Sequence, residues 1–155
     1  MSKYIGMVTL LLVLFGCHED SPFCHDGFCG CGGRTDCPMD CGDVDGCVMD
    51  CGSADICETH CDDGCSVECS DASTCAHECD EDCRLSCHSV GSCYGFIGPG
   101  SVASCSNFGS CEIECSGSCK VNCYGCAIHC PDGEAPVACP NGDSFVCAGG
   151  SCDWQ

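Results

Sequence analysis

Cysteine is the residue through which this sequence could do most of its chemistry. The chain has 155 residues, and 27 of them are Cys. Thiols form disulfide bonds, bind metal ions as thiolates or take part in redox exchange. Cys123 and Cys126 have the C-x-x-C spacing of redox-active dithiols, but no strand–helix–strand pattern surrounds them. We therefore interpret the thiols as structural and predict no catalytic cysteine.

Histidine could add metal or acid–base chemistry. His60, His77, His88 and His129 each lie within two residues of a cysteine, which is compatible with Zn²⁺ binding. They are far apart along the chain, so we predict surface or turn histidines instead. No Ser-His-Asp set, phosphate-binding glycine loop or converging carboxylate pair stands out. The sequence thus predicts a protein that is not an enzyme and has no confident cofactor or metal.

Acidic turns are a weak candidate for Ca²⁺, which prefers oxygen ligands. The candidate ligands are Asp43, Asp45, Asp62, Asp63, Asp80, Glu81 and Asp82. No complete twelve-residue calcium loop with a closing Glu surrounds them. Solvated acidic turns that keep the protein soluble are therefore the favoured interpretation.

Composition limits the functions that this chain can have. It carries 24 Asp and Glu against 4 Lys and Arg, a formal net charge of −20. Phosphate backbones would be repelled, so nucleic acid is excluded as a partner. Large aliphatic and aromatic side chains are few beyond the first sixteen residues, and a chain so poor in core formers and so charged is expected to be disordered. Disulfide bonds must supply what the core lacks.

The N-terminal residues 1–16 predict an export signal. Lys3 precedes the apolar stretch YIGMVTLLLVLF, which is shorter than the ~20 residues that span a bilayer. The segment that follows, from Leu14 to Cys17, resembles the lipobox of bacterial lipoproteins. That resemblance implies that Cys17 carries the lipid and anchors the protein to the outer membrane or cell surface; a secreted or periplasmic protein is the alternative. Removing Cys17 leaves 26 cysteines, the even number that a fully oxidised framework needs.

A repeat of 18 residues runs through the cysteine spacing. Copies begin at Cys57, Cys75, Cys93 and Cys111, and a 20-residue copy begins at Cys37. Within each copy the recurring unit is C-x-Φ-x-C, where Φ is apolar, and alternation with period two is typical of short strands. Fixed-period repetition indicates a repeat architecture. We predict a disulfide-rich all-β fold, a small β-solenoid of about five coils; a disulfide-pinned antiparallel meander is the alternative.

Some of the links between the predicted strands are five residues long, and the central residue of each is less polar than its neighbours. This favours the solenoid, because a solenoid would turn these central residues inward. These residues are Val44, Ala54, Ala72, Val90 and Phe108. The boundaries that follow are a signal peptide over 1–16, a lipid-anchored tether and N-terminal cap over 17–36, the repeat domain over 37–130 and a C-terminal Cys-rich cap over 131–155.

The disulfide pairing is predicted from one irregular copy. The copy from Cys93 has Ile97 and Ser101 where its neighbours have cysteines. Because both cysteines are missing from this copy together, we predict that in the other copies the cysteines at these two positions bond to each other. The inner pairs are Cys61–Cys65, Cys79–Cys83 and Cys115–Cys119, and by analogy Cys41–Cys47. The predicted outer pairs are Cys37–Cys51, Cys57–Cys69, Cys75–Cys87, Cys93–Cys105 and Cys111–Cys123. Eight cysteines stay unassigned: Cys24, Cys29, Cys31, Cys126, Cys130, Cys139, Cys147 and Cys152.

Tyr94, Phe96 and Phe108 lie in the copy that lacks the inner pair. They either form a small apolar binding face or fill the space that the missing sulfurs vacate, and filling is the favoured interpretation.

Over residues 37–130 the chain resembles, in architecture only, the disulfide-braced β-solenoid antifreeze proteins of beetles. Their Thr-x-Thr ice-binding ladder is absent. In composition it is similar to Cys-repeat lipoproteins of myxobacteria, a likeness that implies no activity.

Taken together, the residues predict a non-enzymatic, acidic surface lipoprotein that acts as a structural, adhesive or binding module for an extracellular or periplasmic partner. A metal-handling protein, with Ca²⁺-binding turns or a Zn²⁺ or copper thiolate cluster, is the alternative.

Overall fold

The computed structural model describes residues 23–33, 35–41, 44 and 46–153. These residues form a β-solenoid of about five turns, as the repeat predicts. Strands of successive coils pair in parallel, for example Ile56–Asp63 with Thr74–Glu81, where Cys57 lies opposite Cys75. The alternative of an antiparallel meander is therefore wrong.

The strands are short, and those of the successive coils alternate between two sheets. In chain order they are β1 (Phe23–His25), β2 (Phe28–Gly30), β3 (Asp36–Asp40), β4 (Val48–Gly52), β5 (Ile56–Asp63), β6 (Ser66–Ser70), β7 (Thr74–Glu81), β8 (Arg84–His88), β9 (Ser92–Ile97), β10 (Val102–Ser106), β11 (Ser110–Cys115), β12 (Cys119–Asn122), β13 (Ala127–His129), β14 (Val137–Ala138) and β15 (Ser144–Cys147). Sheet A has the order β1-β2-β4-β6-β8-β10-β12-β15-β14, and sheet B has the order β13-β11-β9-β7-β5-β3. A 3₁₀ turn over Pro131–Gly133 follows β13.

The sequence forms these strands because every second residue can be buried. In β8 the inward residues are Leu85 and Cys87, and the other three residues of the strand are exposed. The 18-residue period puts equivalent positions in register, so that Cys57, Cys75, Cys93 and Cys111 stack one above another. Each coil thus buries the same small set of positions against the next.

The core between the sheets is narrow and consists largely of sulfur. Between its cysteines, sheet A contributes one stack of apolar side chains, which are Met49, Val67, Leu85, Ala103 and Val121. All five are fully or almost fully buried. A single apolar residue per strand is too little for an ordinary hydrophobic core, so cross-linking must supply much of the stability.

The inner disulfides predicted from the sequence are present. The pairs that join sheet B to sheet A are Cys61–Cys65, Cys79–Cys83 and Cys115–Cys119, across three-residue turns, and Cys41–Cys47, across a five-residue link. Ile97 and Ser101 take the equivalent places in the irregular coil, and both are completely buried. The Ser101 hydroxyl accepts a hydrogen bond from the Cys83 backbone N–H at 3.0 Å. The lost bridge is thereby replaced by packing and one polar contact.

The predicted outer pairs are wrong. The outer cysteines bond across the links that lead from sheet A to the next coil of sheet B, as Cys31–Cys37, Cys51–Cys57, Cys69–Cys75 and Cys87–Cys93. These bonds replace Cys37–Cys51, Cys57–Cys69 and Cys75–Cys87, and they take Cys93 away from Cys105. Cys111 lies against Cys126, not Cys123.

The geometry of the five-residue link explains this correction. Its central residue folds inward, and Ala54, Ala72 and Val90 are all buried as predicted. The fold brings the flanking cysteines to Cα separations of 5.8 to 6.4 Å, which suits a disulfide. Phe108 is only partly buried against the core. Val44 is wrongly predicted, with 49% exposure, because its link leads from sheet B to sheet A, on the opposite side of the coil.

Both ends of sheet A are covered by antiparallel strands. At the N-terminal end the β1–β2 hairpin pairs through β2 with β4. At the C-terminal end β15 pairs antiparallel with β12, held by Cys130–Cys147 and Cys139–Cys152. These ends correspond to the caps that a repeat array needs. In the described part of the chain, no helix has the length and apolarity to cross a membrane.

Candidate functional site

The outward surface of sheet B carries two aromatic side chains next to each other. Tyr94 and Phe96 occupy alternate positions of β9, where they are 44% and 38% exposed. Their inward neighbours Cys93, Gly95 and Ile97 are buried. The two rings therefore do not fill the space of the missing bridge, and the filling interpretation is wrong for both.

Carboxylates flank the two rings on the neighbouring strands. Tyr94 lies in register between Ala76 and Glu112. Phe96 lies in register between Glu78 and Glu114. Since neighbouring strands are ~4.8 Å apart, each ring has a carboxylate beside it. We call these five residues, Tyr94, Phe96, Glu78, Glu112 and Glu114, the aromatic face.

The aromatic face is grooved. Its groove of about 220 Å³ is lined by Ala76, His77, Tyr94, Gly95, Phe96, Glu112 and Glu114. Ala76 leaves space beside Tyr94 because its side chain is small. At the far edge, His129 Nε2 lies 3.1 Å from Glu112 Oε1, and both side chains are more than half exposed. The site thus combines exposed rings with negative charge.

Below the aromatic face, the core contains an unexpected polar pair. Thr59 and His77 occupy the inward middle positions of β5 and β7, and each is only 3% exposed. Thr59 Oγ1 and His77 Nδ1 share a hydrogen bond of 2.7 Å. His77 Nε2 has no hydrogen-bond partner among the described residues. The prediction of a surface or turn histidine is therefore wrong for His77, whereas His60, His88 and His129 are exposed.

Burial lowers the pKa of His77 to about 4. A hydrogen bond with Thr59 acts in the opposite direction, and the nearby His60 reinforces the lowering. The imidazole is consequently neutral at neutral pH. It lies close to Cys79 and Cys83, which are bonded to each other and are not metal ligands in this form.

Four sulfurs converge at the C-terminal end of the repeat domain. Cys105, Cys111, Cys123 and Cys126 have their sulfurs within 4.8 Å of one another. Cys126 lies against both Cys111 and Cys123. Cys105 Sγ is 2.9 Å from Cys111 Sγ, and Cys105 is the buried free cysteine of the described residues. In reduced form such a set could hold Zn²⁺ tetrahedrally.

The register of the coils decides how these four cysteines pair. Cys105 stacks on Cys87, and Cys111 stacks on Cys93, and Cys87 and Cys93 are bonded to each other. Cys126 cannot bond to both of its neighbours, so from the register we expect Cys105–Cys111 to form the next link pair and Cys123–Cys126 to use the remaining two sulfurs. Burial also raises the pKa of the Cys105 thiol to about 11, which disfavours the thiolate that a metal requires.

The acidic turns are less well defined as a site. Asp43 and Asp45 lie outside the described residues. Asp63 and Glu81 are in register on adjacent coils, so two carboxylates stack at the short-turn edge as predicted. Asp80 and Asp82 are exposed, and Asp62 is partly so. Calcium binding there stays a prediction.

The fold and the site define this chain as a disulfide-braced β-solenoid with an acidic surface. No protein-family model matches the sequence, and comparisons with curated proteins and with solved structures find no match either.

Sequence reasoning missed the polar core pair and the orientation of the rings. The signal for both was the alternation itself. Counting in twos from Cys57 and Cys75 places Thr59 and His77 inward. The same count from Cys93 places Tyr94 and Phe96 outward.

The first testable consequence concerns the four converging sulfurs. We expect a digest of the oxidised protein to yield peptides cross-linked as Cys105–Cys111 and Cys123–Cys126 when mass spectrometry is done without reduction. The Cys87–Cys93 peptide from the coil below is the matched control. Four alkylatable thiols with bound Zn²⁺ would contradict this pairing, as would recovery of a Cys111–Cys126 cross-link alone.

The second consequence is a pH dependence of stability. His77 has a folded pKa of about 4 against an ordinary 6.5, so between these pH values the unfolded chain binds a proton that the folded chain does not. The free energy of unfolding should fall by about 3 kcal/mol as pH drops through this window and should be independent of this group above it. Thermal unfolding midpoints at pH 7 and pH 4.5 measure this loss of stability.

The variant His77→Gln removes the titrating group and should reduce the loss of stability at low pH. His88→Gln, which changes an exposed histidine on sheet A, is the control and should leave the loss unchanged. An equal pH dependence in the parent protein and in His77→Gln would show that His77 is not the cause.

Proposed function

We propose that this protein is a non-enzymatic, lipid-anchored module that displays a rigid acidic surface outside the cell and binds a partner there. The observation that carries the proposal is the arrangement of Tyr94 and Phe96. A chain poor in large apolar residues exposes two aromatic rings side by side, while cysteines and a few aliphatic side chains such as Leu85 and Ile113 fill the core beneath. Exposed aromatic rings next to each other are typical of binding surfaces.

The rigidity of the solenoid supports a display function. Disulfides close both edges of the regular coils, as Cys79–Cys83 and Cys69–Cys75 illustrate. Outward side chains on parallel strands therefore keep fixed spacings of ~4.8 Å across the sheet and ~6.7 Å along a strand. A surface that is already ordered loses little conformational entropy when it binds.

Several features favour an exported, membrane-anchored protein. Disulfides persist in the periplasm and on cell surfaces and are rare in the cytosol. The lipobox-like segment ending at Cys17 lies outside the described residues, and its sequence favours lipidation at that cysteine. The outer membrane or cell surface is the proposed location. The net charge of −20 argues against nucleic acid as the partner.

The residues considered for catalysis do not favour an enzyme. Cys123 and Cys126 pair with each other in a loop, without the helix N-terminus that activates a redox cysteine. His77 is buried, and the other candidate histidines are on different strands. These positions support a binding or structural function.

A metal-handling protein is the second candidate. The observation in its favour is the convergence of Cys105, Cys111, Cys123 and Cys126. Such a function requires these thiols to be reduced. Thiol counting and metal analysis of the purified protein separate the two candidates, since the proposed module has disulfides at this place.

The anchor gives the direct test of the proposed location. In a bacterial host, Cys17→Ala should move the protein from the membrane fraction to the soluble exported fraction, because the lipidated residue is lost. Phe15→Ala, which keeps Cys17, is the matched control and should stay in the membrane fraction. Antibody labelling of intact cells should detect the Phe15→Ala protein. Unchanged membrane association of Cys17→Ala would overturn the lipid anchor.

A further inference from the structure

We propose that the aromatic face binds an extended, lysine- or arginine-rich segment of a partner protein. This inference rests on the proposed binding function and names its surface and ligand class. The face is defined by Tyr94 and Phe96 and by the carboxylates of Glu78, Glu112 and Glu114.

The rings of Tyr94 and Phe96 are exposed and rigidly supported. Along β9 the outward side chains are Ser92, Tyr94 and Phe96, and both rings are more than one third exposed. Gly95 between them faces inward, where an added Cβ would lie 2.8 Å from Leu85 Cδ2 and 3.0 Å from Ile113 Cδ1. The backbone of β9 is therefore packed directly on the core. The rings stand on a fixed support.

Carboxylates surround the two rings. In one row across the sheet, Tyr94 has Glu112 on one side and Ala76 on the other, and Glu58 follows Ala76. In the next row, Phe96 lies between Glu78 and Glu114. A cation above either ring thus meets both the negative face of an aromatic system and a nearby carboxylate.

Lysine and arginine side chains suit both the rings and the carboxylates of this face. Lysine and arginine combine an apolar stem, which packs on a ring, with a charged end, which reaches a carboxylate. In an extended peptide, every second side chain points to the same side at intervals of ~6.7 Å. This interval matches that between Tyr94 and Phe96 on β9. A basic segment therefore suits the face better than an acidic or uncharged one.

Two histidines lie at the margins of the face. His60 is in register with Glu78 on one side, and His129 is in register with Glu114 on the other. His129 also contacts Glu112 at 3.1 Å. A ligand cation that approaches Glu112 therefore competes with His129 for the Glu112 carboxylate.

The experiment uses the purified full-length protein in detergent, with its disulfides intact. The probe is a fluorescently labelled eight-residue peptide with Lys at every second position, and the control peptide has Gln at those positions. Fluorescence anisotropy should detect binding of the Lys peptide at low salt and weaker binding in 0.5 M salt, because salt screens the ionic part. The Gln peptide should bind at least tenfold more weakly.

Variants locate the surface. Tyr94→Ala combined with Phe96→Ala should weaken binding about tenfold, and Glu114→Gln should weaken it several-fold. The matched controls are Tyr124→Ala, which removes an aromatic residue that is 85% exposed elsewhere, and Glu68→Gln on the outer side of sheet A. Both controls should bind like the parent protein. Far-ultraviolet circular dichroism verifies that every variant is folded.

Three results would overturn the proposal. One is the absence of Lys-peptide binding. The second is equal weakening by the control variants, which would mean nonspecific attraction to the acidic chain. The third is equal binding of the Gln peptide and the Lys peptide, which would mean that the face does not recognise cationic side chains. The anchoring test is independent of all three, because a Cys17→Ala protein keeps the aromatic face.

Discussion

Covalent cross-linking across the turns of each coil is the constraint on which the rest of this structure depends. A strand of the repeat buries two cysteines and one middle side chain, as Cys75, His77 and Cys79 do in β7. So few buried atoms cannot offset the entropy of ordering the chain. Each short loop closed by a disulfide removes about 2 kcal/mol of conformational freedom from the unfolded chain in the chain-entropy model. The fold follows because these loops recur in every coil.

Because disulfides stabilise the coils, the middle inward positions of the strands accept residues of different size and polarity. Sheet B has Met39, Thr59, His77, Gly95 and Ile113 in one continuous stack. A glycine and a hydrogen-bonded histidine in such a stack would destabilise a conventional core. Here the neighbouring disulfides hold the strands in place. Since the core does not need large aromatic side chains, such residues can lie on the surface, as Tyr94 and Phe96 do among carboxylates.

Much of this architecture was predictable because the repeat restricts it. The period of 18 and the C-x-Φ-x-C alternation indicated parallel coils, and the joint absence of cysteines at Ile97 and Ser101 indicated the inner pairs. No copy lacks an outer pair in the same way, so the sequence contained no evidence about which way Cys69 bonds. That choice depends on how the five-residue link folds around Ala72, a property of the backbone in three dimensions.

The candidate site was less predictable than the fold. Alternation alone assigns Tyr94 and Phe96 to the outside, but the carboxylates beside them come from strands 18 residues away in either direction. Their proximity follows only from the register of β7, β9 and β11. Val44 shows the same limit, because the longer first coil puts a five-residue link on the sheet B to sheet A side, where the centre of the link is not turned inward. Such placements need the stacked coils and not the repeat pattern alone.

The most direct measurement of the central claim is far-ultraviolet circular dichroism of the protein before and after complete reduction and alkylation. The oxidised protein should show a β-sheet spectrum and almost no reactive thiol. If disulfides replace the hydrophobic core, the reduced and alkylated chain should give the spectrum of a disordered polypeptide at the same temperature and pH. A reduced chain that kept its β-sheet spectrum would contradict this, because packing and hydrogen bonds would then be sufficient to hold the solenoid.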